Sequence, residues 1–347
     1  MEKYIRPGKV WLDTDGKRIQ AHGGSVLYRE GTYYWYGENK DHTTGKDNIW
    51  SWGVRCYASK DLINWRDLGL IIQPNLKDDD SPLNPKSMMD RPHIIYNEQT
   101  QKYVCWLKIQ NLSGSQSETV LVADSILGPY EIVRQGLRPL GMSAGDFDLA
   151  VAPDGKAYYY FERVHSETIC ADLTDDYTNL TGFYSTHFPQ VGPPYVREGT
   201  THFSRQGKQY LITSGTTGYL PNPSEIAIAG TWHGPFEILD NPHRNDTSQT
   251  SFHSQVSCVF KVAGKKDLYI ACADRWVPEH MDYAYPKYRD AFRDMFTGKG
   301  SKNLTDNFIS DLKVNTSVSD YVWLPLEFEK EGVYLDWLDE WSPADYE

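Results

Sequence analysis

The sequence predicts an all-β fold: a five-bladed β-propeller with a partly helical insertion in the last blade. Three observations lead there. Eleven Trp, 24 Tyr and 12 Phe raise the aromatic share to 14%, and aromatic side chains favour the pleated surface of a strand. A turn carrying Gly or Lys, followed by a Tyr-rich strand, recurs five times. The copies are residues 31–38 (GTYYWYGE), 101–109 (QKYVCWLKI), 155–162 (GKAYYYFE), 207–215 (GKQYLITSG) and 265–276 (KKDLYIACADRW). Their spacing of roughly 50 to 70 residues is that of one four-stranded propeller blade. Finally, residues 126–133 (ILGPYEIV) and 232–239 (WHGPFEIL) share a Gly-Pro-aromatic-Glu layout, and residues 59–69 (SKDLINWRDLG) read as a related outer-strand phrase. A β-helix needs a much shorter repeat, and a sandwich predicts no recurrence.

Each blade needs an inner strand on the central channel. The candidates are residues 21–28 (AHGGSVLY), 89–97 (MDRPHIIYN), 145–153 (GDFDLAVAP), 197–205 (REGTTHFSR) and 251–260 (SFHSQVSCVF). Each begins with polar or small residues and continues with apolar ones, as a strand does when it leaves a wet site and enters a core. Residues 285–295 (YPKYRDAFRDM) carry Tyr288, Phe292 and Met295 at helical spacing. They lie in a segment, about 278–318, that interrupts the last blade. The tail, residues 321–341, reads as a hairpin turning at Lys330-Glu331-Gly332 and packing against the first blade. No Pro- or Ser-rich linker divides the chain, so residues 1–347 are expected to form one domain.

The formal net charge of −12 repels polyanions, and no basic run offsets it, so nucleic acid is not an expected partner. No run of 18 apolar residues exists to cross a membrane. The first residues, MEKYIRPGKVWLD, lack the apolar core of a signal peptide; a cytoplasmic protein is expected, or a secreted or periplasmic one whose leader has been removed. Cys56, Cys105, Cys170, Cys258 and Cys272 are scattered and contain no C-x-x-C pair, so they are expected to be buried small hydrophobes. Residues 141–145 (GMSAG) match G-x-S-x-G, but that motif requires a helix to follow, and the next residues alternate like a strand.

The polar residues that stand out are carboxylates at the starts of the inner strands. Asp90, Asp146, Asp148 and Glu198 are far apart in sequence but are expected to converge at one channel mouth. Asp146 and Asp148 share a strand face. Clustered carboxylates raise at least one pKa, and a protonated acid beside ionised neighbours is what glycosidic cleavage requires.

These residues resemble glycoside hydrolase family 43, the five-bladed propeller glycosidases. Asp146 stands eight residues before the Asp154-Gly155 turn, where the family places its pKa-modulating Asp. Glu198, in an E-G segment before a G-x-x-Y-L strand, matches the family's acid. The first-blade base is missing, with Gly23 at its position beside His22. That departure resembles the exo-β-1,3-galactanase branch, which shares HGG, a YYWYGE-like strand, an acidic residue before Arg-Pro (here Asp90-Arg91-Pro92), Ser254-Gln255, Asp274-Arg275-Trp276 and the YVWLPL segment at 321–326. At position 90 that branch has Glu.

The resemblance implies an inverting exo-acting hydrolase that releases galactose from β-1,3-galactan. Glu198 would be the acid, Asp146 its modulator, and Gln255 the group orienting water, with Asp90 the alternative and His22 third. Glu38, His22, Asp148 and Trp276 are the expected sugar contacts. No organic cofactor or catalytic metal is implied; a structural cation near the channel, with His253 as its candidate ligand, is kept open. The partner is a carbohydrate, galactan or arabinogalactan. The other readings are a different family-43 specificity, arabinofuranosidase or galactofuranosidase, and a sugar-binding propeller that has lost its base.

Overall fold

The computed structural model describes residues 2–111, 114–298, 314–330 and 332–347. Among the described residues its strands form five antiparallel blade sheets in sequence order, followed by one two-stranded hairpin. Blade 1 is β1 (His22–Arg29), β2 (Thr32–Glu38), β3 (Val54–Ser59) and β4 (Arg66–Ile72); blade 2 is β5 (Met88–Asn97), β6 (Lys102–Gln110), β7 (Gln116–Ala123) and β8 (Glu131–Leu137). Blade 3 is β9 (Ala144–Val151), β10 (Ala157–Arg163), β11 (Glu167–Leu173) and β12 (Leu180–His187). Blade 4 is β13 (Arg197–Arg205), β14 (Lys208–Gly215), β15 (Ser224–Ala229) and β16 (Glu237–Asp240). Blade 5 has three strands, β17 (Gln255–Lys261), β18 (Tyr269–Arg275) and β19 (Asp320–Pro325). The inner strands β1, β5, β9, β13 and β17 touch in ring order, and β17 returns to β1. The chain is a five-bladed β-propeller.

Local chemistry explains the hairpins. Glu30-Gly31 and Gln206-Gly207, between first and second strands, all have positive φ, the two-residue turn whose twist matches a β-hairpin. Between neighbouring blades, first- and second-strand side chains fill the core: Val104, Trp106, Phe147, Tyr159 and Phe161 are buried together between blades 2 and 3. All five cysteines are buried and free. Ser143 leads directly into β9, so the G-x-S-x-G match lacks the helix its chemistry needs.

The last inner strand starts later than expected, at Gln255 rather than 251. Ser251, Phe252 and His253 all have positive φ, which makes them a turn. The ring is closed by the N-terminal segment, which lies against blade 5: Gly8 N–H donates to the Tyr321 carbonyl at 2.6 Å, and Ile5 and Trp341 exchange backbone bonds of 2.8 and 3.0 Å. The tail hairpin is β20 (Glu327–Phe328) and β21 (Val333–Tyr334); of its expected turn residues, Glu331 lies outside the described ones. It packs on blades 4 and 5 rather than on blade 1. Phe328 meets Phe203, Tyr210 and Tyr269, because the hairpin follows β19 at once and Arg244 anchors it through Glu329 and Asp336. The rest of the tail does meet blade 1: Tyr321, Trp323 and Trp341 are buried in the core that blades 1 and 5 share, with Trp35 and Trp65, and Leu338 packs against it.

The insertion contains helix α1 (Tyr285–Thr297), which ends on Gly298 in the left-handed region, the usual glycine stop. Its buried face is Tyr285, Tyr288 and Phe292, packed with Leu220; Met295, expected on that face, is partly exposed. Residues 299–313 of the expected insertion lie outside the described ones. No helix among the described residues is long and apolar enough to cross a membrane.

Candidate active site

In every blade the pairing between the first two strands shifts near the site end of the inner strand. Such a bulge re-aims the side chains around it. In blades 1, 2 and 4 the last pair before the shift is His22–Glu38, Asp90–Lys108 and Glu198–Ser214. The residue that follows has positive φ each time: Gly23 at 59°, Arg91 at 52° and Gly199 at 59°. Arginine in this region is sterically costly; what holds it is described below. In blade 3, Asp146 lies inside the shift between Ala144 and Phe147. In blade 5, Gln255 is paired with Asp274 at the strand's first position.

These positions converge on one pocket of about 490 Å³, a size that suits a small ligand. Its floor is an ion-pair network. The Arg91 guanidinium donates from Nη2 to Asp146 Oδ2 at 2.8 Å and to Gln255 Oε1 at 2.6 Å. Lys108 Nζ lies 2.8 Å from Asp146 Oδ1 and 3.3 Å from Asp90 Oδ2. Gly199 N–H donates to Asp146 Oδ2 at 3.2 Å. Asp90 Oδ1 also accepts from Trp50 Nε1–H at 2.5 Å. These bonds explain the conformation of Arg91: the left-handed backbone aims its guanidinium at two blades at once.

The electrostatics separate the carboxyls. Burial alone would raise the Asp146 pKa, but Arg91 and Lys108 outweigh it and hold the group well below the usual carboxylate range, so it is ionised. Burial pushes Glu198 well above its ordinary value, and the charges of Asp146 and Glu162 push it further. Glu162 reaches this position past Gly145, where a Cβ would sit 2.1 Å from its Oε2. Burial likewise lifts Glu38 to about 7, against the pull of Lys40, whose Nζ lies 2.7 Å from Glu38 Oε2.

The missing first-blade Asp has a structural counterpart. A Cβ at Gly23 would come within 2.4 Å of Glu38 Oε1; the second strand's carboxylate fills the space an inner-strand Asp would use. It is fixed there by Arg91 N–H at 3.1 Å. An aromatic arc completes one wall, with Trp50 and Tyr219 rings 5.9 Å apart and Tyr219 and Trp276 rings 5.3 Å apart.

Of the residues singled out from sequence, Glu38, Asp90, Asp146, Glu198, Gln255 and Trp276 line this pocket, and His22 and Asp148 do not. His22 is fully buried, bonded through Nδ1 to Asp274 Oδ1 at 3.0 Å and stacked on Tyr321. Asp148 lies one step deeper in the channel, where Oδ2 accepts from His202 N–H at 2.7 Å; burial raises it to about 7. His253 borders a small cavity behind Gln255. Among the described residues no group of three or more His, Cys, Asp or Glu is placed to hold a metal. Sequence reasoning missed Lys108, Glu162 and Trp50, and treated Arg91 only as part of a motif. A lone Lys inside the apolar run YVCWLKI was the available signal for Lys108; Trp50 sits in a long loop without periodicity.

Carboxyls held in opposite protonation states around a small-ligand pocket are an arrangement that glycosidic cleavage can use. The profile of Glycosyl hydrolases family 43 matches residues 18–281. The chain belongs to this family of glycoside hydrolases. Among solved structures it is similar to a family-43 β-1,3-galactosidase (29% identity, TM-score 0.79), covering 99% of this chain and 65% of the other. A second family-43 β-1,3-galactosidase, solved with galactodeoxynojirimycin, matches at 27% identity and TM-score 0.78 over 97% of this chain and 100% of the other. An exo-β-1,3-galactanase from Clostridium thermocellum matches at 27% identity and TM-score 0.75 over 98% and 66%. The chain thus spans just under two thirds of the first and third of these proteins and all of the second. No curated protein matches it.

Proposed function

We propose that the chain is an inverting exo-β-1,3-galactosidase that removes galactose from the non-reducing end of β-1,3-galactan. The similarity to β-1,3-galactosidases at 27–29% identity supports the substrate. The observation that carries the mechanism is the pairing of Glu198, kept protonated, with Asp146, kept ionised. The closed floor of ion pairs suits a chain end rather than a passing polymer. Glu198 donates its proton to the leaving oxygen, and Asp146 keeps that proton on Glu198 until the bond breaks.

Inversion needs a proton acceptor for water on the opposite face of the sugar, about 6.5–9.5 Å from the acid. In a ring of five blades, blades 1 and 2 lie opposite blade 4, whereas blade 5 adjoins it. Gln255 sits beside Glu198: a Cβ at Gly199 would be 3.0 Å from its Nε2. Its Oε1 already accepts from Arg91 and, at 3.3 Å, from Trp276 Nε1–H, and its Nε2–H donates to Ser214 Oγ at 2.8 Å. An amide oxygen has two lone pairs, and both are engaged. Asp90 is a carboxylate on the opposite side with acceptor sites to spare, so the water is assigned to Asp90 and the positioning of Arg91 to Gln255. The test follows β-1,3-galactobiose hydrolysis by proton NMR. First-formed α-galactose is expected, with Asp90→Asn losing far more kcat than Gln255→Ala. Initial β-galactose would overturn inversion, and the reverse ranking of the variants would return the water to Gln255.

A further inference from the structure

We infer that the C-terminal end of α1 and Gln116 form a subsite for the leaving-side sugar, taking the apolar C–H face of a hexose on one side and a hydroxyl on the other. The inference rests on the galactosidase reading above. α1 is clamped over blade 4 by Phe292, which packs with Leu220 of the loop after β14. Its last turn then extends toward blade 3, where the Phe296 ring meets the His165 ring edge-on at 5.9 Å. His165 Nδ1 lies 2.9 Å from Glu162 Oε1, and Glu162 is the acidic neighbour of Glu198. The helix end therefore stands on the acid's side of the pocket, the side to which the leaving group departs.

The chemistry of this rim differs from that of the floor. Phe296 and Met295 line the pocket yet are 49% and 37% exposed. Large apolar side chains left open beside a polar pocket mark a binding surface, and a thioether next to a ring gives an adaptable apolar platform. Gln116 supplies the second, independent observation. It also lines the pocket, is 8% exposed, and its Oε1 is buried without a hydrogen-bond partner among the described residues. Its Nε2–H is turned to Gln110 Oε1 at 3.4 Å, which leaves the oxygen as an acceptor. A buried acceptor without a donor is costly, and a sugar hydroxyl donates a hydrogen bond.

The experiment compares Phe296→Ala, Phe296→Tyr and Gln116→Leu with the unaltered protein on β-1,3-galactobiose, and measures inhibition by free galactose, which fills only the inner site. Phe296 is half-exposed, so its replacement does not threaten folding. Phe296→Ala is expected to raise KM roughly tenfold, the scale of one lost apolar contact, while the galactose inhibition constant and kcat stay within about twofold. Phe296→Tyr restores KM, and Gln116→Leu raises it in the same way. An unchanged KM in both Phe296→Ala and Gln116→Leu, or a galactose constant that moves with KM, overturns the subsite while leaving the galactosidase reading intact. No cleavage of galactobiose by the unaltered protein overturns both.

Discussion

Blades 4 and 1 carry the same device and use it in opposite ways. In each, the register shift is followed by a left-handed glycine, Gly199 or Gly23. In blade 4 the residue before the glycine, Glu198, projects into the pocket. In blade 1 its counterpart, His22, turns into the wall and pairs with Asp274, which also accepts from Gly23 N–H at 3.0 Å. The pocket position of blade 1 is filled from the second strand by Glu38. The bulge fixes where a side chain starts; the partner waiting for it decides whether it serves the fold or the chemistry. Blade 4 should thus respond to substitution in rate, and blade 1 in stability.

The largest effect is expected from Glu198→Gln. The amide keeps the shape and, since Glu198 is protonated in the fold, removes no charge that packing relies on. Turnover on an unactivated galactoside should fall about 10²–10⁴-fold, with galactose binding and the melting temperature nearly unchanged. Steady-state kinetics with calorimetry would show it, and near-normal turnover would remove Glu198 from the acid role. Arg91→Met comes next, because Arg91 ties blade 2 to blades 3 and 5. It leaves Asp146 with Lys108 alone and frees Gln255. Breaking one partner from a buried pair costs roughly 3–5 kcal/mol, so chemical denaturation should show a loss of that order together with lost activity.

A smaller effect separates the two layers of the channel. Asp148 has a folded pKa of about 7 because of burial, against about 3.9 in an unfolded chain. Between those values the folded state holds more protons than the unfolded one, so stability falls as pH rises. Above pH 7 the full cost of a buried charge applies, at most about 4 kcal/mol across the window. Asp148→Asn should flatten the decline in melting temperature between about pH 5 and 7. Asp146 behaves oppositely: its depressed pKa stabilises the fold above the unfolded value, and that stabilisation is lost as pH falls toward the folded one.

The repeat pattern made the blades legible because each inner strand must pass from water to core, and that transition is written in its residue order. The position of α1 was legible for the same reason: Tyr288 and Phe292 have one face to bury. The site was legible only where one strand supplies the residue, as for Asp146 and Glu198. Lys108 became part of it by standing opposite Asp90 across a sheet, which depends on register. Arg91 did so through a backbone angle that no side-chain pattern encodes. Within the tail, Trp323 and Trp341 reach blade 1 as expected, but the short hairpin reads the same whichever blade it covers, and Arg244, far away in sequence, decides that part.

The smallest expected effect is the sharpest test of the comparison. His22 shares the register position of Asp90 and Glu198, and a sequence reading places it among the sugar contacts. In the fold it is fully buried, stacked on Tyr321 with centroids 4.8 Å apart, and bonded to Asp274. Burial lowers its pKa more than Asp274 raises it, so it is neutral at pH 7 and adds no charge to the pocket. His22→Asn keeps a polar group near Asp274 and removes the stacked ring. The expected loss is about 1–3 kcal/mol of stability, the usual range for a buried polar contact. The kcat and KM of the folded fraction should stay within about twofold at temperatures well below unfolding. Should His22→Asn instead cut kcat as deeply as Glu198→Gln while its melting temperature holds, blade 1 would carry chemistry after all, and the contrast between the two blades would be lost.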